Sequence, residues 1–492
     1  MKTWSVPLFS FLLAALFACN YTLNHFYVHG AFMLDSGWFA YLATHATSWP
    51  LPNPPAIGGT YFSTHFSPFF YLLTALRQIL PGMADPVYFS FTQGVWFGLT
   101  AFAVCIFLVD QVPPKTKWLA LPISVLAAYN GISLASISFP HFEIAIPGLF
   151  LAFLALHFRG MQKSAYAALA FGLLMREDVG LHYFGVFLLL SAGFLLQEKT
   201  ADSRRRAWFY ARLALACLAY AILAISVQKH FFPNEDDALA RVYLGSPAFH
   251  HVDANFIRDR LGFIAENRLY IFAPLAATLA LAAARRNVLY LIGHLASIPW
   301  VVFSLAAISI PAGTLTSYYA FPVMIGLLWP CVIHAHLGRP PSFASLIDTS
   351  ALVVVSIVFF LFGGFFHDNT PWKNFGFQWV GKIEKNQAAA KALLSRQDIP
   401  ALLVDDTIAS LQPGWVSAEQ WVHELAFKES VLAKADAFAF QSNAWFQSQA
   451  SHIIGKAGFV HVCKMNGSNY LLASRRVFHD LECTRINPLP GE

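Results

Sequence analysis

Several short stretches of this chain carry side chains able to do chemistry. HGAFMLDSGWFAY, residues 29–41, sets a single carboxylate, Asp35, among Phe32, Trp38 and Phe39. A partly desolvated carboxylate has its pKa raised from ~3.9 toward a strength useful for taking a hydroxyl proton. The plainer role for Asp35 is to cap the helix that GWFAYLATHA begins. His65 opens HFSPFFYLLTALRQIL, FPHFE (139–143) brings His141 and Glu143, and MREDVG (175–180) brings Arg176, Glu177 and Asp178. A guanidinium clamps a phosphate through paired N–H bonds, so Arg176, with His65 as a second donor, is the candidate for holding one. His141, Glu143, Glu177 and Asp178 can orient those cations, bind hydroxyl groups, or hold a divalent metal through oxygen ligands. Each has a bland alternative: an ion pair inside a charged turn for Arg176, a carboxylate favoured by a helix start for Glu143, and the flank of a helix for His65. Tyr318 and Tyr319 can line a groove, or belong to the ordinary aromatic belt at a membrane surface.

The elements that must position these groups are apolar helices. Of 492 residues, 57% are hydrophobic and 12% charged, with a mean hydropathy of +0.52. Soluble domains carry about 25% charged residues, so the chain reads as an α-helical polytopic membrane protein. The net charge is +5, and no basic run is suited to nucleic acid, which excludes that class of partner. The apolar run from Lys2 to Cys19 reads as an uncleaved first transmembrane helix, followed by an exported loop, 25–85. Within that loop, residues 65–80 have an apolar length of about 13 residues, or ~20 Å, against a hydrocarbon core of ~30 Å. They are expected to lie in the outer interface, with Thr74, Arg77 and Gln78 on one side. Spans then follow near 86–109, 118–138, 142–158, 164–176, 179–197, 207–229, 269–284, 288–310, 319–337 and 345–366, with a polar loop at 230–268. That makes about 11 transmembrane helices, N-terminus in the cytoplasm and C-terminus outside. Lys115 and Lys117, Arg159 and Lys163, Lys199 with Arg204 to Arg206, Arg285 and Arg286, and Arg339 all fall inside.

The composition changes at about His367, which divides the chain into a transmembrane domain, 1–366, and a small exported α/β domain, 367–492. KNQAAAKALLSRQ is strongly helical. IPALLVDDTIAS and ADAFAFQ read as buried strands, and FVHVCKM and SNYLLAS as a hairpin closed by an Asn466-Gly467 turn. Outside the cytoplasm Cys463 and Cys483 are able to form a disulfide; loose thiols are the alternative.

DSGWFAY after the first helix, HFSPFFYLLTAL, FPHFE, MREDVG and later TSYYAFPVMIGLLWP, in that order, resemble the bacterial membrane-protein family known as domain of unknown function 2079. In outline that family is similar to the GT-C class of glycosyltransferases. The resemblance implies a GT-C-like fold with exported interfacial helices, a bacterial inner-membrane location, and an inverting enzyme that takes a sugar from a polyprenyl-phosphate donor. The acceptor would be an exported glycan, lipid or protein. In that setting Asp35 is the catalytic base, Arg176 and His65 bind the donor phosphate, Glu143, His141, Glu177 and Asp178 orient substrate or metal, and Tyr318 and Tyr319 line the sugar or carrier groove. The acid of the first loop stands alone, without the paired Asp of some GT-C motifs, and this leaves a divalent cation, Mg2+ or Mn2+, open. Two rival readings are a transporter or flippase for a lipid-linked or small polar substrate, and a non-catalytic membrane assembly factor. A transporter keeps ionisable groups near the bilayer midplane in repeated halves; here the polar stretches gather at one expected face.

Overall fold

The computed structural model describes residues 4–197, 200–234, 239–337, 341–363, 375–423, 427–441, 453–465 and 468–485. The expected Asn466-Gly467 turn, the charges of Lys199 and Arg339, and the boundary at 366/367 lie outside the described residues. Seven described helices are long and apolar enough to cross a membrane: Ser5–His29, Asp85–Gln111, Val179–Leu196, Ala201–Phe231, Val288–Leu305, Ile310–His336 and Ala344–Phe362. Two bent pairs, Pro114–Ala128 with Gly131–Ile137 at 50° and Ala254–Asn267 with Leu269–Arg285 at 84°, raise the number to nine if each pair is one span. The segments expected at 142–158 and 164–176 are helical but short. The 12 residues of Gln162–Leu173 reach only ~18 Å. Length and composition therefore support seven to nine of the eleven expected crossings.

The described residues divide into two compact units. One comprises Met1–Cys19, Tyr61–Phe69 and Thr92–Lys373. Two of its contacts fix the helices around the chemistry-bearing loops. Tyr183 donates its hydroxyl to the Ile146 carbonyl (2.8 Å), which ties the helix after MREDVG to the helix after FPHFE. One turn earlier, Gly180 lies so close to the Cys217 carbonyl that any side chain there would collide with it, so the helices Val179–Gln197 and Ala201–Phe231 meet backbone to backbone.

The stretch read as a polar loop, 230–268, contains a helix, Ala254–Asn267, capped by Asp253, whose carboxylate accepts from Phe256 N (2.7 Å). Its apolar residues Phe256, Ile257, Leu261 and Ile264 recur at helical spacing, but the intervening Arg258, Asp259 and Arg260 hide the period.

The other unit comprises Asn20–Thr60, Phe70–Phe91 and Asn374–Glu492. Its centre is a six-stranded sheet: β1 Leu402–Asp405, β2 Trp421–Val422, β3 Ala437–Gln441, β4 His461–Lys464, β5 Tyr470–Ser474 and β6 Glu482–Arg485. The strand order is β2-β1-β3-β5-β4-β6, parallel across β2, β1 and β3 and antiparallel thereafter. All five residues of β3 are buried, as suits a central strand, and Cys463 on β4 is disulfide-bonded to Cys483 directly opposite on β6. The helix Phe69–Arg77 begins the expected interfacial segment; its nine residues span ~14 Å, too short to cross.

Candidate functional site

The first unit brings together the three charged stretches that lie far apart in sequence. Arg176 is the hub. Its Nε donates to Asp178 Oδ1 (2.7 Å), Nη2 donates to Asp178 Oδ2, and Nη1 donates to Glu143 Oε1 (3.2 Å). The other oxygen of Glu143, a residue only 1% exposed, accepts from His141 Nδ1 at 2.5 Å. Glu177 turns the other way and accepts from His65 Nδ1 (3.0 Å) and from the Phe66 backbone N–H (2.9 Å). Tyr318 lies face to face with the His141 ring, centroids 3.6 Å apart, and Tyr319 adjoins it at 4.5 Å. His65, His141, Glu143, Arg176, Glu177, Asp178, Tyr318 and Tyr319 thus form one constellation.

Local structure explains the arrangement. His141 is extended, and Phe142–Ile144 makes a single tight turn before the helix Ala145–Phe158, so the side chains of His141 and Glu143 meet. MREDVG is the short connection between Gln162–Leu173 and Val179–Gln197, and the Phe69 N–H donates to the Leu174 carbonyl (3.2 Å) just before it. Burial by itself would push the Asp178 carboxyl up. The Arg176 guanidinium beside it outweighs that and holds the carboxyl well below the usual range, while Arg176 is held well above its own. Two carboxylates, Asp178 and Glu143, face the guanidinium, and each imidazole presents Nδ1–H to a carboxylate. That bond fixes the ring tautomer and leaves Nε2 as the second functional nitrogen.

A guanidinium has five N–H donors, and three are used within the cluster. One donor remains on each terminal nitrogen. The side-on edge expected to clamp a phosphate is spent on Asp178, so a phosphate would be met by the terminal nitrogens instead. The carboxylate oxygens of Glu143, Glu177 and Asp178 accept from Arg176, the two histidines and Phe66 N, and among the described residues no group of three or more His, Cys, Asp or Glu is arranged to hold a metal ion. This donor set fits the protein's own cations better than Mg2+ or Mn2+.

Asp35 belongs to the second unit. It is half-buried in a π-helical turn, Met33–Gly37, and a like turn, His25–His29, precedes it. It does not cap the following helix, Trp38–His45, whose cap position is Gly37 without a side-chain bond.

No family model matches the chain, the family of the resemblance included. No curated protein matches it either. Among solved structures, ArnT from Cupriavidus metallidurans bound to undecaprenyl phosphate overlaps with 95% of this chain and 97% of its own, at 12% identity and a TM-score of 0.44. The apo state of the same protein gives the same figures. An Archaeoglobus fulgidus oligosaccharyltransferase in complex with Zn and sulfate overlaps with 94% of this chain and 73% of its own, at 11% identity and a TM-score of 0.35. At identities of 11–12% and TM-scores of 0.35–0.44 this likeness says nothing of the chemistry.

Three further residues border the cluster. His182 sits one helical turn after Asp178, with Nε2 3.9 Å from Asp178 Oδ2, and its ring meets Trp300 and Phe321 edge-on at 5.2 Å. The i, i+4 spacing of Asp178 and His182 was the available signal for the first. Nothing in the local sequence points to Trp300, which donates to the Tyr319 carbonyl (2.8 Å), or to Phe321, whose ring lies under the Arg176 guanidinium at 5.9 Å.

Proposed function

We propose that this chain, which resembles the family known as domain of unknown function 2079, is a GT-C-like inverting glycosyltransferase of the bacterial inner membrane. It moves a sugar from a polyprenyl-phosphate donor to an exported glycan, lipid or protein. The observation that carries this reading is Arg176: a buried guanidinium, oriented by two carboxylates, with an N–H donor left on each terminal nitrogen at the ends of apolar helices. A lipid-linked phosphate needs such a donor where its charge grows as the bond from sugar to phosphate breaks. In the reaction the acceptor hydroxyl oxygen attacks the anomeric carbon, the carbon–oxygen bond to the phosphate breaks, and the hydroxyl proton passes to a base. Asp35 is that base in this reading, and inversion follows from a single displacement. His65 joins Arg176 in donating to the donor phosphate, while His141 and the carboxylates of Glu143, Glu177 and Asp178 orient the sugar through its hydroxyls, with Tyr318 and Tyr319 as a stacking wall. The N-terminus is cytoplasmic and the sheet domain lies outside.

The ionisable groups of the cluster sit in the connections that precede the helices Phe69–Arg77, Ala145–Phe158 and Val179–Gln197, which suits an enzyme at one membrane face better than a transporter. The test is transfer from a radiolabelled polyprenyl-phosphate sugar to a membrane or glycan fraction. Asp35→Asn should abolish it at normal expression, and full activity in that variant removes Asp35 from the mechanism.

A further inference from the structure

The backbone around Asp35 is not a shape that a short chain holds by itself. Two π-helical turns, His25–His29 and Met33–Gly37, stand on either side of Gly30 with its φ of 97°. Such turns are rare and occur mostly inside longer helices or at functional sites. Inside the loop, His25 Nε2 and Ser36 Oγ share one hydrogen bond (2.9 Å) that joins the turns. Further bonds to the first turn come from residues more than 350 positions later. Asn386 Nδ2 donates to the Tyr27 carbonyl (3.0 Å), Gln387 Nε2 donates to the Tyr27 hydroxyl (3.0 Å), and Gln441 Nε2 donates to the Val28 carbonyl (3.1 Å). Asn386 and Gln441 are both buried. On the other side of Asp35, Gly37 abuts the helix Asp406–Leu411: a Cβ at Gly37 would lie 2.7 Å from Ser410 Cβ and 2.8 Å from its Cα. Asp405 links these grips. One of its oxygens accepts from Ile408 N and so caps the helix that carries Ser410, and the other accepts from Gln441 N, each at 2.9 Å.

We propose that the C-terminal α/β domain is the positioning element for Asp35, acting through Asn386 and Gln441 on the first turn and through Ser410 against Gly37 on the second. This rests on the reading of Asp35 as the base. It gives a role to a domain in which no catalytic motif is found: it adds long-range bonds to the backbone of the loop that carries Asp35. Asn386, Gln441 and Ser410 are positioning residues and touch no substrate.

The experiment uses the full chain in nanodiscs, with hydrogen exchange and donor-dependent transfer measured on the same samples. Asn386→Ala and Gln441→Ala should each speed exchange in residues 25–37 on the order of tenfold, with the span Val288–Leu305 unchanged. The same variants should lower kcat by about 10-fold to 100-fold while leaving the donor KM near wild type, as a slightly misplaced base does. Gly37→Ala should lose activity likewise, because the added Cβ would meet both the Cβ and the backbone Cα of Ser410. Unchanged exchange in residues 25–37 overturns the proposal, whether or not the protein transfers sugar. Faster exchange with an unchanged kcat also overturns it and leaves the transferase reading standing. A wild-type protein that transfers nothing sinks the transferase reading instead, and the exchange data still decide whether the domain holds the loop.

Discussion

The imidazole of His141 and the phenol ring of Tyr318 stack with centroids 3.6 Å apart and planes 15° from parallel. The backbone before Tyr318 is bent to make this contact. Leu315 and Ser317 take left-handed φ values of 50° and 53° without being glycine, a conformation that costs roughly 1–3 kcal/mol per residue and persists only where neighbours impose it. Arg268, fully buried, imposes it by donating to the Thr314 carbonyl (2.8 Å) and to Thr316 Oγ1 (2.7 Å).

If Tyr318 fixes the plane of His141, the ring matters and the hydroxyl does not. Tyr318→Phe should retain most activity, while Tyr318→Leu should lower kcat/KM by about tenfold, the worth of an aromatic pair beyond its burial. Equal loss in both variants would transfer the role to the hydroxyl. Steady-state kinetics on the two proteins decide between them.

Arg176 should be the residue least tolerant of change. Removing one partner of a buried ion pair costs roughly 3–5 kcal/mol, because the remaining charges stay buried and uncompensated. Arg176→Ala leaves Asp178 without its side-on partner and Glu143 with His141 alone, so a large drop in thermal stability in detergent is expected. Arg176→Lys keeps the charge but cannot bond Asp178 side-on. It should fold, bind donor more weakly, and lose kcat/KM by about 100-fold. Wild-type kinetics in the lysine variant would reduce Arg176 to a structural ion pair.

Much of this arrangement was legible in the sequence, for physical reasons. Four strands lie where LLVD, AFAFQ, HVCK and YLLAS place them, and the helix Ile383–Leu394 lies where KNQAAAKALL does, because each is a strong local pattern. The topology placed Asp35, His65, FPHFE and MREDVG at one outer face, and the first unit brings the last three together. Strand β2 is only two residues long, and β6, ECTR, is largely exposed and polar, so neither carries a burial pattern to read. Nor does local sequence reveal that Arg176 turns its side-on edge to Asp178, since that choice is made by side chains packed from three separate segments. The grip of Asn386 and Gln441 on Tyr27 and Val28 is non-local in the same way.

The carboxyl of Asp405 makes the second unit sensitive to pH. Burial pushes its pKa from 3.8 up to about 7. The folded form therefore keeps a proton that the unfolded chain releases above about pH 4. The resulting stabilisation is complete below pH 4, declines as pH rises toward 7, and is gone above it; over this window it amounts to ~4 kcal/mol at most. Unfolding followed by Trp fluorescence should show stability falling between pH 4 and pH 7. Asp405→Asn should remove that slope while costing roughly 1–3 kcal/mol at low pH, since an amide NH2 would face the Gln441 N–H. A slope that survives the substitution would assign it to another group.

The Cys463–Cys483 disulfide tests the outward placement of the sheet domain. Structural disulfides persist in oxidising compartments and are rare in the cytosol. In a background with Cys19, Cys105, Cys217 and Cys331 replaced by Ala, denatured protein from whole cells should react with a thiol-directed polymer reagent only after reduction. Two thiols reactive without reduction would place the domain in the cytoplasm, and with it Asp35 on the wrong side for an exported acceptor. Because the bond joins the sheet's last strand to its neighbour, replacing both cysteines with Ser should cost about 2–4 kcal/mol. The loss should be confined to the second unit, and hydrogen exchange in the Val179–Leu196 span should stay as it is in the wild type.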